Sequence, residues 1–425
     1  MTTREYDLFA VTAHGLAALC AAELASQGVA GTSETGGVAW RGSARSLYRA
    51  NLELRTASRV VARVGRFSAR GFAELERRVA KLQWRDFVQP GTAVVLRVTC
   101  RKSKLYHEGA VGERVTRVLA DVAGAVVLEA RPDDDDSDET TSQGQLVIVR
   151  FLRDDCTISV DSSGALLHQR GYRQAIAKAP LRETIAASLV LAAGWTGDSP
   201  LIDPLCGSGT IPIEAALLAR RIAPGLANTD LVPRPFAFRQ WPGFEQDTWS
   251  DVVAGARAAV RDVGPAIMGS DRDEGAIVAA RANAERAGVG GDITFRRATL
   301  SSIEPPADSG HVITNPPYGV RVGERRELRA LYAALGDTIR NRLPGWHVTL
   351  LAADDALAGA TRLPLVERLS TRNGGIPVRL LTTAGPVAHA DAHEAPADSH
   401  QAQTDAHPPA SAGYDAPHHD EEDVQ

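Results

Sequence analysis

Leu201-Ile-Asp203-Pro-Leu-Cys206-Gly207-Ser-Gly209-Thr210 decides the fold of the C-terminal half of this chain. An apolar run ends in an acid, turns through two glycines and passes directly into the apolar helical stretch 211–221. Glycines lack Cβ atoms, so the main chain can turn tightly there and come close to a ligand. The helix that follows leaves unpaired N–H groups at its start, which suits a nucleotide-like partner. A strand, a glycine turn and a helix in that order open a doubly wound α/β unit. The turn lacks the Lys-Ser/Thr ending of a phosphate-binding loop. Ile213 stands about where a dinucleotide fingerprint has its third glycine.

Downstream, apolar runs and helical stretches alternate. Strands are predicted at 201–203, 266–270, 293–296, 311–314 and 347–352, with helices at 212–222, 275–287 and 328–343. A helix over 180–193, opened by Pro180 with Arg182 and Glu183 in its first turn, precedes them. A hairpin of 365–370 and 376–382 closes them. This rhythm predicts a Rossmann-like, doubly wound parallel sheet whose ligands bind at the carboxyl ends of the strands. The second strand ends Ile267-Met-Gly-Ser-Asp271-Arg-Asp273, and a carboxylate there can accept hydrogen bonds from both hydroxyls of a ribose. Asp271 is the stronger candidate; Asp273 serves equally well as the cap of the next helix.

Asn315-Pro316-Pro317-Tyr318-Gly319 follows another strand. Consecutive prolines lock the backbone, and the residue before each is pushed towards extended geometry. A rigid loop can aim the Asn315 side-chain oxygen and the Pro316 carbonyl at one point. Both are acceptors, matching the two N–H groups of an exocyclic amine. Held so, the amine nitrogen moves towards tetrahedral geometry and frees its lone pair for attack, while Tyr318 can stack on the base. Catalysis would then rest on positioning and electrostatics rather than on a strong general base. The glycine turn and this loop together point to methyl transfer onto a nucleobase.

The first 160 residues mix strands (6–12, 38–40, 58–67, 93–100, 145–151) with helices (14–27, 44–52, 71–82, 111–123) and lack the parallel rhythm, which predicts a separate α+β module. Strands at 158–161 and 166–170 are expected to form a hairpin that leads into a linker over 171–178. The domain division is therefore 1–160, a hairpin and linker over 161–180, 181–385, and an acidic His-rich tail over 386–425. Arg101, Lys102 and Lys104 cluster at a strand end beside Tyr106 and His107, a grouping suited to gripping an RNA backbone.

The formal charge of −5 conceals segregation. The run 133–139 holds six acids and the tail holds nine with no Lys or Arg, leaving 37 acids against 47 bases elsewhere. A body with that basic excess attracts phosphate-rich polymers. Only four of the bases are Lys, which matches a GC-rich coding bias. Cys20, Cys100, Cys156 and Cys206 are far apart and lack metal-ligand spacing, and the six tail histidines are irregularly placed, so no metal is expected. The tail is too poor in apolar residues to order itself. No leader or spanning segment is read from the sequence, so a cytoplasmic location is expected, and nothing points to an obligate protein partner.

Over roughly residues 6–385 the chain resembles class I S-adenosylmethionine-dependent methyltransferases that carry an N-terminal THUMP RNA-binding domain. The strings that carry the likeness are Leu8-Phe-Ala-Val-Thr-Ala-His-Gly15, Tyr48-Arg-Ala-Asn-Leu52, Arg101-Lys-Ser-Lys-Leu-Tyr-His107, His168-Gln-Arg-Gly-Tyr-Arg173 and Ala179-Pro-Leu-Arg-Glu183, with the two motifs above. Their order is most similar to that of bacterial 23S rRNA guanine-N2-methyltransferases; close relatives act on tRNA. The resemblance implies that Asp203, Gly207 and Gly209 line the methionine part of S-adenosylmethionine, that Asp271 holds its ribose, and that Asn315 and Tyr318 hold the target base. Cys206 packs beside the cofactor as a small side chain. Relatives often place an acid after the third strand to meet the adenine amine; here the stretch is Arg297-Ala-Thr299-Leu, and Thr299 is the acceptor available.

Three other functions compete. The Asn-Pro-Pro-Tyr loop also serves N6-adenine or N4-cytosine DNA methylation, tRNA could replace rRNA, and the chain could be a non-catalytic RNA-binding assembly factor. The intact Asp203, Gly207, Asn315 and Tyr318 favour catalysis, and the N-terminal module favours RNA.

Overall fold

A computed structural model describes residues 4–128, 144–174, 181–318 and 325–387. The run 133–139, linker residues 175–178, Pro180, Gly319 and the tail from 388 onward lie outside them.

The N-terminal region forms β1 (Glu5–Thr12), α1 (Ala17–Ser26), β2 (Thr32–Glu34), β3 (Gly37–Ser43), α2 (Ala44–Glu53), β4 (Ala57–Ser68), α3 (Phe72–Ala80), β5 (Ala93–Arg101), α4 (Glu108–Ala123), β6 (Val126–Leu128), β7 (Gln145–Leu152) and β8 (Asp155–Asp161). Among the described residues these strands make an eight-stranded sheet ordered β2-β3-β1-β4-β8-β7-β5-β6. The segment β1 to β4 is a split β-α-β unit, with β1 antiparallel to both β3 and β4. β5 pairs parallel with both β6 and β7, whereas the other strand pairs of this sheet are antiparallel.

The expected hairpin of 158–161 with 166–170 is not formed. Residues 155–161 instead fold back on β7 across a two-residue turn at Arg153 and Asp154, whose φ values of 53° and 66° suit a tight hairpin of matching twist. Their other edge pairs with β4, and 166–170 remains irregular.

The second sheet follows α5 (Glu183–Ala192), which starts at Glu183 rather than at Pro180. Its elements are β9 (Leu201–Asp203), α6 (Thr210–Ala219), α7 (Gln246–Ala258), β10 (Ile267–Asp271), α8 (Glu274–Arg286), β11 (Ile293–Arg297), β12 (His311–Thr314), α9 (Arg325–Arg342), β13 (His347–Ala352), α10 (Asp355–Ala360), β14 (Leu365–Asn373) and β15 (Ile376–Thr383). The order is β11-β10-β9-β12-β13-β15-β14, with the first five parallel and the last two an antiparallel hairpin. Strands covered on both faces need apolar residues at successive positions, and β13 is buried at five consecutive residues from Val348 to Ala352. The chain stays ordered past Gly385: Val387 is buried and exchanges backbone hydrogen bonds with Gly345 and Trp346 at 2.8 and 2.9 Å, so the tail begins later than 386.

Residues 236–249, inserted between α6 and β10, reach back to the N-terminal region. Tyr48 of α2 stacks on Phe238 with ring centroids 4.5 Å apart and meets Phe244 and Trp249. Trp241 meets Tyr6 and Phe87, and its indole N–H donates to Gln145 Oε1 at 2.8 Å. Each such ring pair contributes about 0.5–1.5 kcal/mol beyond the area it buries. Arg170 ties the same regions together, donating to the carbonyl oxygen of Arg55 at 2.7 Å and to Glu214 of α6 at 3.4 Å.

Candidate functional site

The site is assembled where β9, β10 and β12 end. Asp203 is the last residue of β9 and only 1% exposed. Its Oδ1 accepts from the Thr314 hydroxyl at 2.7 Å and from the Leu205 N–H at 3.2 Å. Burial pushes its carboxyl up to about 7, and the nearby Asp271 pushes the same way, against the two hydrogen bonds. Burial and a neighbouring carboxylate thus leave an acid at this strand end poised to ionise when a cation arrives.

The glycine turn is built by two different demands. Gly209 has φ +84°, and a Cβ there would lie 3.0 Å from both Ala280 of α8 and the Phe295 ring of β11, so close packing of the layers requires glycine. Gly207 has φ +51°, but a Cβ there would meet nothing within 4 Å. The turn therefore opens onto free space at Gly207, and a ligand can reach the main chain there. Asp271 closes the other side. Its Oδ2 accepts from the Gly207 N–H at 3.1 Å and its Oδ1 from the Asp273 N–H at 3.0 Å, leaving lone pairs on both oxygens for hydroxyl donors.

Cys206 is 8% exposed, and its N–H donates to the Ser270 carbonyl oxygen at 2.9 Å. Burial, with Asp203 and Asp271 beside it, drives its thiol well above the ordinary range, which leaves it a packing group rather than a nucleophile. Asp273 caps α8, its Oδ1 accepting from the Gly275 N–H at 2.8 Å. Thr299 is exposed and caps a one-turn helix (Leu300–Ser302), its hydroxyl 3.1 Å from that of Ser301. It sits one residue beyond Ala298, whose N–H donates to the Asp271 carbonyl oxygen at 2.9 Å.

Thr314 links the two motifs, since its bond to Asp203 fastens the strand end that leads into Asn315 to the strand end that leads into the glycine turn. The Asn315 Oδ1 is buried and has no hydrogen-bond partner among the described residues. A buried acceptor left unmet costs about 1–3 kcal/mol, so a donor-bearing ligand has a ready partner there. Pro316 is buried beside it, and Tyr318 is partly buried with its hydroxyl accepting from Asn373 Nδ2 at 2.8 Å.

Three residues that shape the site were not read from the sequence: Thr314, Phe295 and Asn373. Thr314 adjoins the motif but is an ordinary strand residue by type. Phe295 reads as core. Asn373 lies 55 residues from its partner.

Arg101, Lys102 and Lys104 lie apart from this pocket, at the end of β5 in the first sheet. All three are exposed, and none enters an ion pair with a described residue. The turn of β7 and β8 fixes their backbone: the Arg101 carbonyl accepts from the Arg153 N–H at 3.1 Å, and the Lys104 N–H donates to Asp154 at 2.7 Å. Tyr106 beside them is 77% exposed. Among the described residues no three His, Cys, Asp or Glu side chains group to hold a metal ion, and no helix is long and apolar enough to cross a membrane.

Residues 170–381 match the model of the RMKL-like methyltransferase domain, and residues 7–61 match that of the RlmL ferredoxin-like domain. The protein slr0064 of Synechocystis sp., named as a candidate RNA methyltransferase, is 36% identical over 383 residues, covering 89% of this chain and 96% of slr0064. The ribosomal RNA large subunit methyltransferase K/L of Syntrophotalea carbinolica is 34% identical over 387 residues; these cover 88% of this chain but 53% of that protein, so the chain spans about half its length. Among solved structures, SMU.472, named as a candidate methyltransferase and complexed with SAH, superposes with a TM-score of 0.78 at 28% identity, covering 91% of this chain and 99% of that one. A Listeria monocytogenes protein named as a predicted N6-adenine-specific DNA methylase gives 0.77 at 31% identity, over 90% and 97%. With its glycine turn and Asn-Pro-Pro-Tyr loop joined at one pocket, the chain belongs to the family of RMKL-like methyltransferases that carry an RlmL ferredoxin-like domain.

Proposed function

We propose that this protein methylates N2 of guanine in 23S rRNA. The observation that supports this most directly is the buried, unpartnered Asn315 Oδ1 one residue beyond the Thr314–Asp203 bond. It is an acceptor with no donor among the described residues, and the glycine turn on the other side of that bond is open at Gly207.

The cofactor is S-adenosylmethionine, which supplies an electrophilic methyl group on a sulfonium. The residues present fit it: Asp203, Cys206, Gly207 and Gly209 would line the methionine part, Asp271, with lone pairs left on both oxygens, would accept from the ribose hydroxyls, and Thr299 would offer an acceptor to the adenine. Asp203, ionised by a cationic neighbour, orients that part of the pocket. Asn315 and the Pro316 carbonyl accept from the two N–H groups of the guanine amine, aligning its lone pair for in-line attack. Tyr318 stacks on the base. The proton released from the amine leaves after transfer, so no side chain needs to abstract it first.

The N-terminal module over 1–160 contains a THUMP-type RNA-binding domain, and Arg101, Lys102 and Lys104 grip phosphates there. A base within an RNA helix cannot enter the pocket, so the target is single-stranded or flipped out. The same loop could hold an adenine amine of DNA, the activity for which the Listeria protein is named. The relatives named for RNA and for ribosomal RNA, slr0064 and the K/L methyltransferase, support RNA over DNA.

Nucleoside mass spectrometry of 23S rRNA and tRNA from cells with and without the protein tests the proposal. Loss of N2-methylguanosine from 23S rRNA alone is the expected result. Loss from tRNA alone moves the substrate, and loss from neither refutes guanine methylation.

A further inference from the structure

We infer that Asn373 is a positioning residue for the target base, acting through Tyr318; this rests on the base-binding role proposed for Tyr318. Asn373 ends β14, opposite Ile376 across the turn Gly374-Gly375. The β14–β15 hairpin thereby brings it against a loop 55 residues earlier, where its Nδ2 donates to the Tyr318 hydroxyl at 2.8 Å. Burial pushes the Tyr318 phenol up, so the hydroxyl keeps its proton.

Asn373 is 7% exposed, and its Oδ1 has no partner among the described residues. Two residues back on the same strand face, the buried Thr371 hydroxyl is likewise without a partner among them, as is the buried hydroxyl of Tyr332 on α9. Half-met polar groups in a buried wall are unfavourable where an apolar residue would pack without loss. Stability alone therefore does not account for an amide here. What the amide does is hold one ring: a tyrosine free to swing on its Cα–Cβ bond would stack on a base in several orientations, and only one of them presents the amine to Asn315.

A double-mutant cycle tests this with Asn373→Leu, Tyr318→Phe and the pair, assayed on 23S rRNA and tRNA extracted from cells lacking the protein. Each single change is expected to lower kcat on the order of tenfold or more, the scale of a small misplacement. KM for RNA and affinity for S-adenosylmethionine should change little, and the double variant should be no worse than the poorer single. Tyr318→Phe keeps the stacking face and removes the bond without leaving a cavity, so it decides the matter if Asn373→Leu fails to fold. An active wild type with undiminished Tyr318→Phe, or losses that multiply in the double variant, overturns the inference alone. A folded wild type that methylates no RNA overturns the proposed function and this inference with it.

Discussion

The Thr314 hydroxyl donates to Asp203 Oδ1 at 2.7 Å, fastening the end of β12 to the end of β9 across 111 residues of sequence. Removing it with Thr314→Val leaves a buried carboxylate short of a donor, a loss of about 1–3 kcal/mol. Thermal unfolding should show a lower Tm, and S-adenosylmethionine should bind more weakly. A variant as stable and as tight as wild type would mean that the two strand ends are held together by other contacts.

Asp203 titrates at about 7 in the folded chain, against about 4 for an unperturbed aspartate. The folded state thus keeps its proton longer, and this carboxyl's contribution to stability declines as pH rises from about 4 to 7. A cationic cofactor favours the ionised form, so its affinity should strengthen several-fold between pH 6 and pH 8. Calorimetric titration at the two pH values checks this. In Asp203→Asn the dependence should disappear; a dependence that survives there belongs to another group.

Asn315→Ala should lower kcat by on the order of a hundredfold or more, as for loss of one preorganised polar contact to the reacting group. Affinity for S-adenosylmethionine should be unchanged, because the amide faces the base. Lost cofactor affinity would place the loop on the wrong ligand.

The two glycines of the turn should respond differently to alanine. Gly209→Ala meets both a left-handed φ and a 3.0 Å contact with Phe295, at a combined cost of about 2–5 kcal/mol. Gly207→Ala carries only the backbone cost, about 1–2 kcal/mol, and points its methyl into the open space. Melting curves and cofactor titrations should therefore diverge, with Gly209→Ala the less stable and Gly207→Ala losing more cofactor affinity per unit of stability lost.

Replacing Arg101, Lys102 and Lys104 together by Ala should weaken RNA binding without altering cofactor affinity. With roughly 0.7 per phosphate contact, the slope of log K against log salt should shrink by about 2. Filter binding across a salt series measures it, and an unchanged slope would remove these three from the interface.

The second sheet was almost wholly legible, because its central strands are buried on both faces and read as short apolar runs such as 311–314 and 347–352. The helix α7 has Trp249, Val252, Val253 and Ala256 at helical spacing, but it lies in an insertion outside the strand–helix alternation that organises its neighbours. The hairpin at 153–154 was hidden for another reason: its turn uses Arg153 and Asp154 at positive φ, where a glycine or asparagine would have announced it. At the candidate site, Asp203, Gly207 and Asn315 could be singled out because the chemistry expected of them is tied to local motifs. Asn373 was not, since an asparagine before two glycines looks like any turn residue, and its meaning lies in a contact across the fold.

The stack of Tyr48 on Phe238 sews the N-terminal sheet to the segment inserted between α6 and β10. If the cations at the end of β5 hold phosphates and Asn315 holds the base, as proposed, an RNA must reach across both sheets at once. On that reading a fragment too short to span them should bind at either place and still not be methylated.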